Sequence, residues 1–396
     1  ACNKEKYNFE QINLSNSILL DSAEVIYNFD DRYPVELSIK DSLAYIICAK
    51  TDTCLCIVNL NKHQIDTVLG HVGYGPKDLI SPNFISSTDK SRILLQTANL
   101  KKIMEIENNR GKINLEEYIP YPDPIFISSE LNFSNKYIVG RKMDGEKGKM
   151  FFIYNQQNDQ ILETECYPPL SKQVKDKNYV YAPSLAINES KDRIIVGMYF
   201  FDMFHIYNFS GERINTFCFT NDCTPKIDQK TGFLDLSNGY SGIIRTYPTE
   251  DFCFLLRQTT TPQNNTTFTL IQLNWDGQLI HSYIFKDRVS GQFCIDKDIK
   301  KVYIIRNQIQ SGDKESVKKA LQNMSDLLLG LSSAIYNDKL LALKAAEDGL
   351  DVIAKSSGSG GGDCGIAISF NREDSQELIK RWQEVGIELL DMEELA

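Results

Sequence analysis

The sequence predicts an all-β six-bladed β-propeller followed by a small α/β domain, and three observations carry that prediction. Six short β-type runs recur over residues 15–309: LAYIICAK from Leu43, RILLQTA from Arg92, KYIVGRK from Lys136, RIIVGMY from Arg193, FCFLLRQ from Phe252 and KVYIIRN from Lys301, with starts 44 to 59 residues apart. The first five are followed by a second run and a polar hairpin turn. From Asp313 the alternation gives way to Ala, Leu, Lys and Glu at helical spacing.

Taken in order, residues 1–14 form a polar N-terminal tether, and NSILLDSAEVIYNF from Asn16 reads as the outer strand that closes the ring. The turns are NLNKHQI at Asn59, IENNRGKI at Ile106, YNQQNDQI at Tyr154, YNFSGERI at Tyr207 and LNWDGQLI at Leu273, where Asn, Asp and Gly supply the positive φ that hairpins require. A unit of about 50 residues built only of strands cannot cover its own two faces, whereas several stacked around an axis can. The sixth run has no hairpin of its own before a junction at 310–312. Over 313–396 the expected elements are helices in DKESVKKALQNMSDLLLGL and NDKLLALKAAEDGLDVIAK, a strand GIAISF, a helix from Asp374, capped by Asp374 or Ser375 and ended by Gly386, and a strand from Ile387.

Composition narrows the function. A hydrophobic content of 42% suffices for real cores, and a net charge of -10 argues against a nucleic-acid surface, which needs clustered Lys and Arg. No run of about 18 apolar residues is present to span a bilayer. The ten cysteines contain no CxxC pair and the four histidines no ligand spacing, so buried free thiols are expected and no metal site. Arg141, Arg257 and Arg306, with Gln96, end equivalent runs; pointing into the funnel mouth, they would form a ring suited to a small anionic ligand. The cluster MYFFDMFHIY from Met198 adds Asp202 and His205, with core and inter-blade packing as its plainer reading. No Ser-His-Asp set or paired-acid signature stands out, so no catalytic residues are assigned.

The stretch GHVGYGPKDLISPNF, through Gly70, Gly73, Gly75, Pro76, Asp78, Leu79 and Pro82, resembles a segment of NHL/TolB-like six-bladed propellers found as exported lipoproteins of Bacteroides-type bacteria. It departs from that pattern at Lys77. Ala1-Cys2 before Asn3-Lys4-Glu5-Lys6 resembles the start of a mature lipoprotein. The resemblance implies a lipid on Cys2, a location at the cell envelope, membrane contact only through that lipid, and binding of a ligand or protein without a cofactor.

AKSSGSGGGDCGIAISF, from Ala354 to Phe370, with the flanking GLSSAIYNDKLLALK and LIKRWQEVGIELL, resembles the C-terminal region of GHMP kinases, specifically bacterial phosphomevalonate kinases. That resemblance implies a phosphate-binding role for Ser356, Ser357, Gly358, Ser359, Gly360, Gly361 and Gly362, whose glycines let backbone N–H groups converge on an anion. It implies a cytoplasmic origin for the tail, and ATP and Mg only for a complete kinase. The family's Pro-x-x-x-Gly-Leu-Gly-Ser-Ser-Ala loop does not occur in this chain, and GLSSAIY at Gly330 lacks its second glycine. Two expectations follow. One is a non-enzymatic binding propeller joined artificially to a kinase fragment; the alternative is ATP-dependent phosphoryl transfer to phosphomevalonate.

Overall fold

The five complete β-type repeats each fold into an antiparallel sheet of four consecutive strands. The structure is a computed structural model that describes residues 9–20, 23–29, 32–97, 101–109, 111–120, 122, 128, 130–142, 149–165, 174–221, 223–228, 230–263, 265–286, 289–296, 301–305, 322, 338–356, 365–369 and 371–388. Blade 1 is Tyr33–Lys40, Leu43–Ala49, Thr53–Asn59 and Gln64–His71; blade 2 is Asn83–Phe84, Ile93–Thr97, Lys102–Asn109 and Lys112–Pro120. Blade 3 is Leu131–Phe133, Tyr137–Arg141, Lys149–Asn155 and Gln160–Glu165. Blade 4 is Pro183–Asn188, Arg193–Met198, Met203–Tyr207 and Arg213–Cys218, and blade 5 is Tyr240–Pro248, Phe252–Thr260, Thr266–Asn274 and Leu279–Phe285.

The predicted turns are built alike. An Asn closing or nearly closing the third strand accepts a backbone N–H of the turn: Asn59 from Lys62, Asn108 from Gly111, Asn155 from Gln157, Asn208 from Glu212 and Asn274 from Gln278, all between 2.8 and 3.1 Å. Each turn then passes through one residue of positive φ: His63, Gly111, Asp159, Gly211 or Gly277.

The core lies between blades rather than within them. Tyr45 and Leu55 of blade 1 meet Leu95 and Met104 of blade 2; Ile85 and Leu94 meet Ile138 and Phe152; Val139 and Phe151 meet Leu185 and Val196; Ala186 and Phe204 meet Ile243 and Leu255. The ring is completed by Leu37 and Ile46 of blade 1, Leu256 and Leu270 of blade 5, and Phe293 between them. Glycines are required where blades approach most closely. A Cβ on Gly242 would collide with the Tyr199 carbonyl oxygen. In the GHVGYGP segment Gly70 has φ +71, and Gly75 donates its N–H to Asp78 Oδ2 at 2.7 Å.

Four expectations for this unit are corrected. Among the described residues there are five blades, not six: those of the last repeat form a hairpin, Phe293–Asp296 with Lys301–Ile304, at the ring position between blades 5 and 1, and the sequence changes character soon after it. Within Asn16–Phe29, Ile18–Leu20 pairs in parallel with Tyr283–Phe285 as a fifth strand outside blade 5, while Ala23–Phe29 is not a strand. Glu10–Gln11, in the stretch expected to be a tether, pairs in parallel with Phe217–Cys218 outside blade 4. Finally, Cys218 and Cys223 are disulfide-bonded; Cys48, Cys54, Cys56, Cys253 and Cys294 are buried free thiols, as expected.

The chain divides into two compact units, Ala1–Arg306 and Asn307–Ala396. In the second, Val352–Ser356 pairs antiparallel with Gly365–Ser369, and Leu343, Val352, Ala354, Leu378 and Trp382 form its core. The expected second helix is shorter than predicted: it spans Asp338–Ala345, and the β-branched Val352 and Ile353 begin a strand instead. The helix Arg372–Glu384 is capped by Asn371, which accepts the Asp374 N–H at 2.8 Å, rather than by Asp374 or Ser375. Gly386, at φ +74, follows its end as predicted. Ile387 is not a strand residue; its N–H donates to Trp382 O at 2.8 Å. The helix expected from Asp313 lies, apart from Gln322, outside the described residues.

Candidate functional site

Two inner strands carry a charged residue, and one is immediately preceded by one, at a shared offset. Glu36, Glu130 and Arg245 each stand seven residues before the second strand of their blade, which starts at Leu43, Tyr137 and Phe252. In blades 1 and 5 the ladder register shifts just before the charged residue, between Pro34 and Glu36 and between Ile243 and Arg245. Such a bulge re-aims the side chain that follows it, and here it brings Arg245 Nη1 to 4.0 Å from Glu36 Oε1.

Polar links join several neighbouring ring positions near the inner strands. Glu36 accepts the Phe84 N–H at 2.6 Å, Gln96 Nε2 donates to Ser128 O at 2.8 Å, and Glu130 accepts the Leu185 N–H at 2.8 Å. Ser184 Oγ accepts the Thr246 N–H at 2.9 Å, and Cys294 Sγ donates to Leu37 O at 2.9 Å. Burial pushes the Glu130 carboxyl up, opposed by Arg245, two hydrogen bonds and Arg141. Burial works against the Arg245 charge, but Glu36 and Glu130 outweigh it and hold that guanidinium above its ordinary value. Burial, with Glu130, raises the Tyr199 hydroxyl to about 12. The result is a hydrogen-bonded polar layer within an apolar ring.

A cavity of about 770 Å³ opens beside this layer, lined by the turns between first and second strands: Lys40 and Asp41 of blade 1, Thr88–Ser91 of blade 2, Asn188 and Ser190 of blade 4, Thr249 and Glu250 of blade 5, and Asp296 of the hairpin. Tyr247 lies under Lys90, whose Nζ stands 4.2 Å from the ring centroid. Burial lowers that ammonium to about 8, against the opposing pull of Cys294 and Asp89. The lining therefore offers hydroxyls, amides, four carboxylates and two amines.

The expected funnel residues are not gathered around one opening. Arg257 is held by Asp202 in a two-point pair, Nε to Oδ1 at 2.7 Å and Nη2 to Oδ2 at 2.6 Å. His205 is fully buried, with Nδ1 3.0 Å from Thr216 Oγ1. Gln96 is fully buried, and among the described residues neither its Oε1 nor Nε of the half-buried Arg141 has a hydrogen-bond partner. Arg306, Cys2, Ser357, Gly358, Ser359, Gly360, Gly361 and Gly362 lie outside the described residues, and of Ser356 only the backbone, at the end of its strand, is described. Among the described residues no group of three His, Cys, Asp or Glu side chains is placed to hold a metal. Glu36, Glu130, Arg245, Lys90 and Tyr247 escaped the sequence reading. The shared offset of the first three, seven residues before the second strand of each blade, was the available signal.

Comparison with known proteins separates the two units. Residues 305–388 match the family described as GHMP kinases C terminal. Phosphomevalonate kinase of a Streptomyces species is 30% identical over 115 residues, covering 27% of this chain and 30% of the kinase, so the chain spans under a third of that relative. The phosphomevalonate kinase structure from Streptococcus pneumoniae is 48% identical over 20% of this chain and 25% of its own, with a TM-score of 0.20. Over the larger part, a member of the DUF4221 family from Bacteroides vulgatus covers 69% of this chain and 86% of its own at 13% identity and a TM-score of 0.45.

Proposed function

We propose that the β-propeller is a binding module, not a catalyst, and that its ligand enters the cavity at the first-to-second-strand turns. The observation that carries this reading is the convergence of turns from four blades and the hairpin on one cavity of about 770 Å³. Sites assembled this way hold a ligand through several independently placed polar groups. The occupant is a small polar molecule or a loop of a partner protein. An anionic group suits it only beside Lys40 or Lys90, since carboxylates outnumber amines in the lining. Titration of hexoses, dicarboxylates and amino acids into the purified chain by calorimetry tests this. Affinity should fall at least tenfold in both Asp296→Asn and Lys90→Met; a ligand that binds both variants unchanged places the site elsewhere.

The proposal extends to how the chain is organised. Cys2 carries a lipid that tethers the propeller to a bacterial envelope, and the tail is a cytosolic kinase fragment joined near 310–312. The family match at 305–388 supports the kinase origin of the tail, and it also favours a second reading, phosphoryl transfer from ATP to phosphomevalonate. Such transfer needs a nucleotide cradle, a metal site and a base in one cleft. An ATP-coupled assay distinguishes the two: phosphomevalonate-dependent ADP release above background overturns the binding-only reading.

A further inference from the structure

Lys90 reaches across the ring. It leaves the turn between the first two strands of blade 2, and its Nζ stands 4.2 Å from the ring centroid of Tyr247, in the inner strand of blade 5. With the hairpin between blades 5 and 1, the order of packing around the ring sets blades 2 and 5 on opposite sides of the axis. The amine is thus carried from one side of the ring to the other, where the residue lines the cavity of about 770 Å³.

Its surroundings differ from those of a surface lysine. The buried Tyr247 ring takes the place of water on one side of the amine, and among the described residues none forms a hydrogen bond or ion pair with Nζ. Arg245 adds a like charge, while Cys294 and Asp89 favour the ammonium. Cys294, however, is itself held as a thiol: burial pushes it up to about 12, and its Sγ donates to Leu37 O. The aromatic face returns part of what burial takes from the cation, yet burial prevails and the amine is lowered to about 8. Lys40 lines the same cavity but donates its Nζ to Ser91 O.

A desolvated lysine beside another cation has the makings of an amine nucleophile. At about pH 7.5 roughly a quarter of such amines carry a free lone pair, against about one in a thousand ordinary lysines. We propose that Lys90 is a covalent anchor in the cavity, where its amine condenses reversibly with a small polar aldehyde. The Nζ lone pair attacks the carbonyl carbon and a C–N bond forms; the carbonyl oxygen then leaves as water with the two amine hydrogens, giving an imine. Hydrolysis returns both partners, so the step is binding rather than turnover and needs no oxidant or reductant. Thr88, Asn188 and Ser190 in the lining suit a ligand that carries hydroxyls beside its aldehyde. This inference rests on the cavity reading and names a ligand class for it.

The test exposes the full chain to glycolaldehyde with cyanoborohydride, which reduces an imine to a stable secondary amine, and maps the labelled lysines by peptide mass. Lys90 should be labelled at least tenfold faster than Lys40, and the difference should vanish in urea, where both become ordinary lysines. Equal rates in the folded chain overturn the proposal, and so does a Lys90 preference that persists in urea. The readout is separate from the calorimetric one. If calorimetry finds a ligand without an aldehyde and the two rates are equal, the cavity reading stands and this one fails; rapid Lys90 labelling supports it even where no hexose, dicarboxylate or amino acid binds.

Discussion

Each unit contains one of the two tryptophans, and both are used the same way. Trp275 of the propeller is buried and donates Nε1–H to Thr249 O at 3.2 Å; Trp382 of the tail is buried and donates to Leu343 O at 3.0 Å. What surrounds them differs. Trp275 sits in a core shared by two blades, whose members run from Ile12 to Trp275 in the sequence. Trp382 sits in a core drawn from Leu343 to Ile387. The propeller depends on contacts between successive repeats and, at the closure, between its first and last, whereas the tail draws its core from neighbours along the chain.

The sharpest way to break this comparison is to damage one unit and watch the other. Trp382→Ala should destabilise the tail by about 4 kcal/mol, while the fluorescence unfolding transition reported by Trp275 keeps its midpoint. A parallel shift of that transition would mean that the units unfold as one. Asp202→Ala leaves the Arg257 guanidinium without its two-point partner in a buried site and should cost the propeller about 3 kcal/mol in urea unfolding. The tail transition should not move.

Within the propeller, Glu36→Gln keeps the acceptor for the Phe84 N–H but removes the charge opposite Arg245. A loss of about 1–2 kcal/mol is expected, and a loss near zero would mean that the carboxylate acts only as a neutral acceptor. The smallest effect is a pH slope. Lys90 is lowered to about 8 in the fold, below the ordinary lysine value of about 10.4, so the unfolded chain binds more protons between these limits. Its burial penalty therefore fades as pH rises from about 8 to 10. The stability difference between wild type and Lys90→Met should shift in favour of wild type over that window; a constant difference would place the amine in water.

Much of the fold was legible because the repeats share local chemistry. Five third strands end at or next to an asparagine, and the positive-φ residue that follows fixes each hairpin without reference to the rest of the chain. The blade count was not legible in the same way, since the sixth run has ordinary strand character yet is paired, among the described residues, only with Phe293–Asp296. Ile18–Leu20 was read as a strand, but its partner in blade 5 lies more than 260 residues away, and no local pattern encodes that choice. The candidate site was the least legible part. Arg257 and Arg141 look alike at the ends of equivalent runs, yet one meets Asp202 from another blade. Ring positions are set by which blade stands next door, and that is a property of the assembled circle.

The two short parallel strands that precede blade 1 bear on the order in which the molecule forms. Glu10–Gln11 and Ile18–Leu20 are synthesised well before their partners at Phe217–Cys218 and Tyr283–Phe285, which follow more than 200 residues later. Residues made early are thus among the last to find their places. Closing so long a loop costs only slowly growing entropy but must await the partner, so the nascent chain carries the ladder groups of Ile18–Leu20 unpaired until blade 5 exists to receive them.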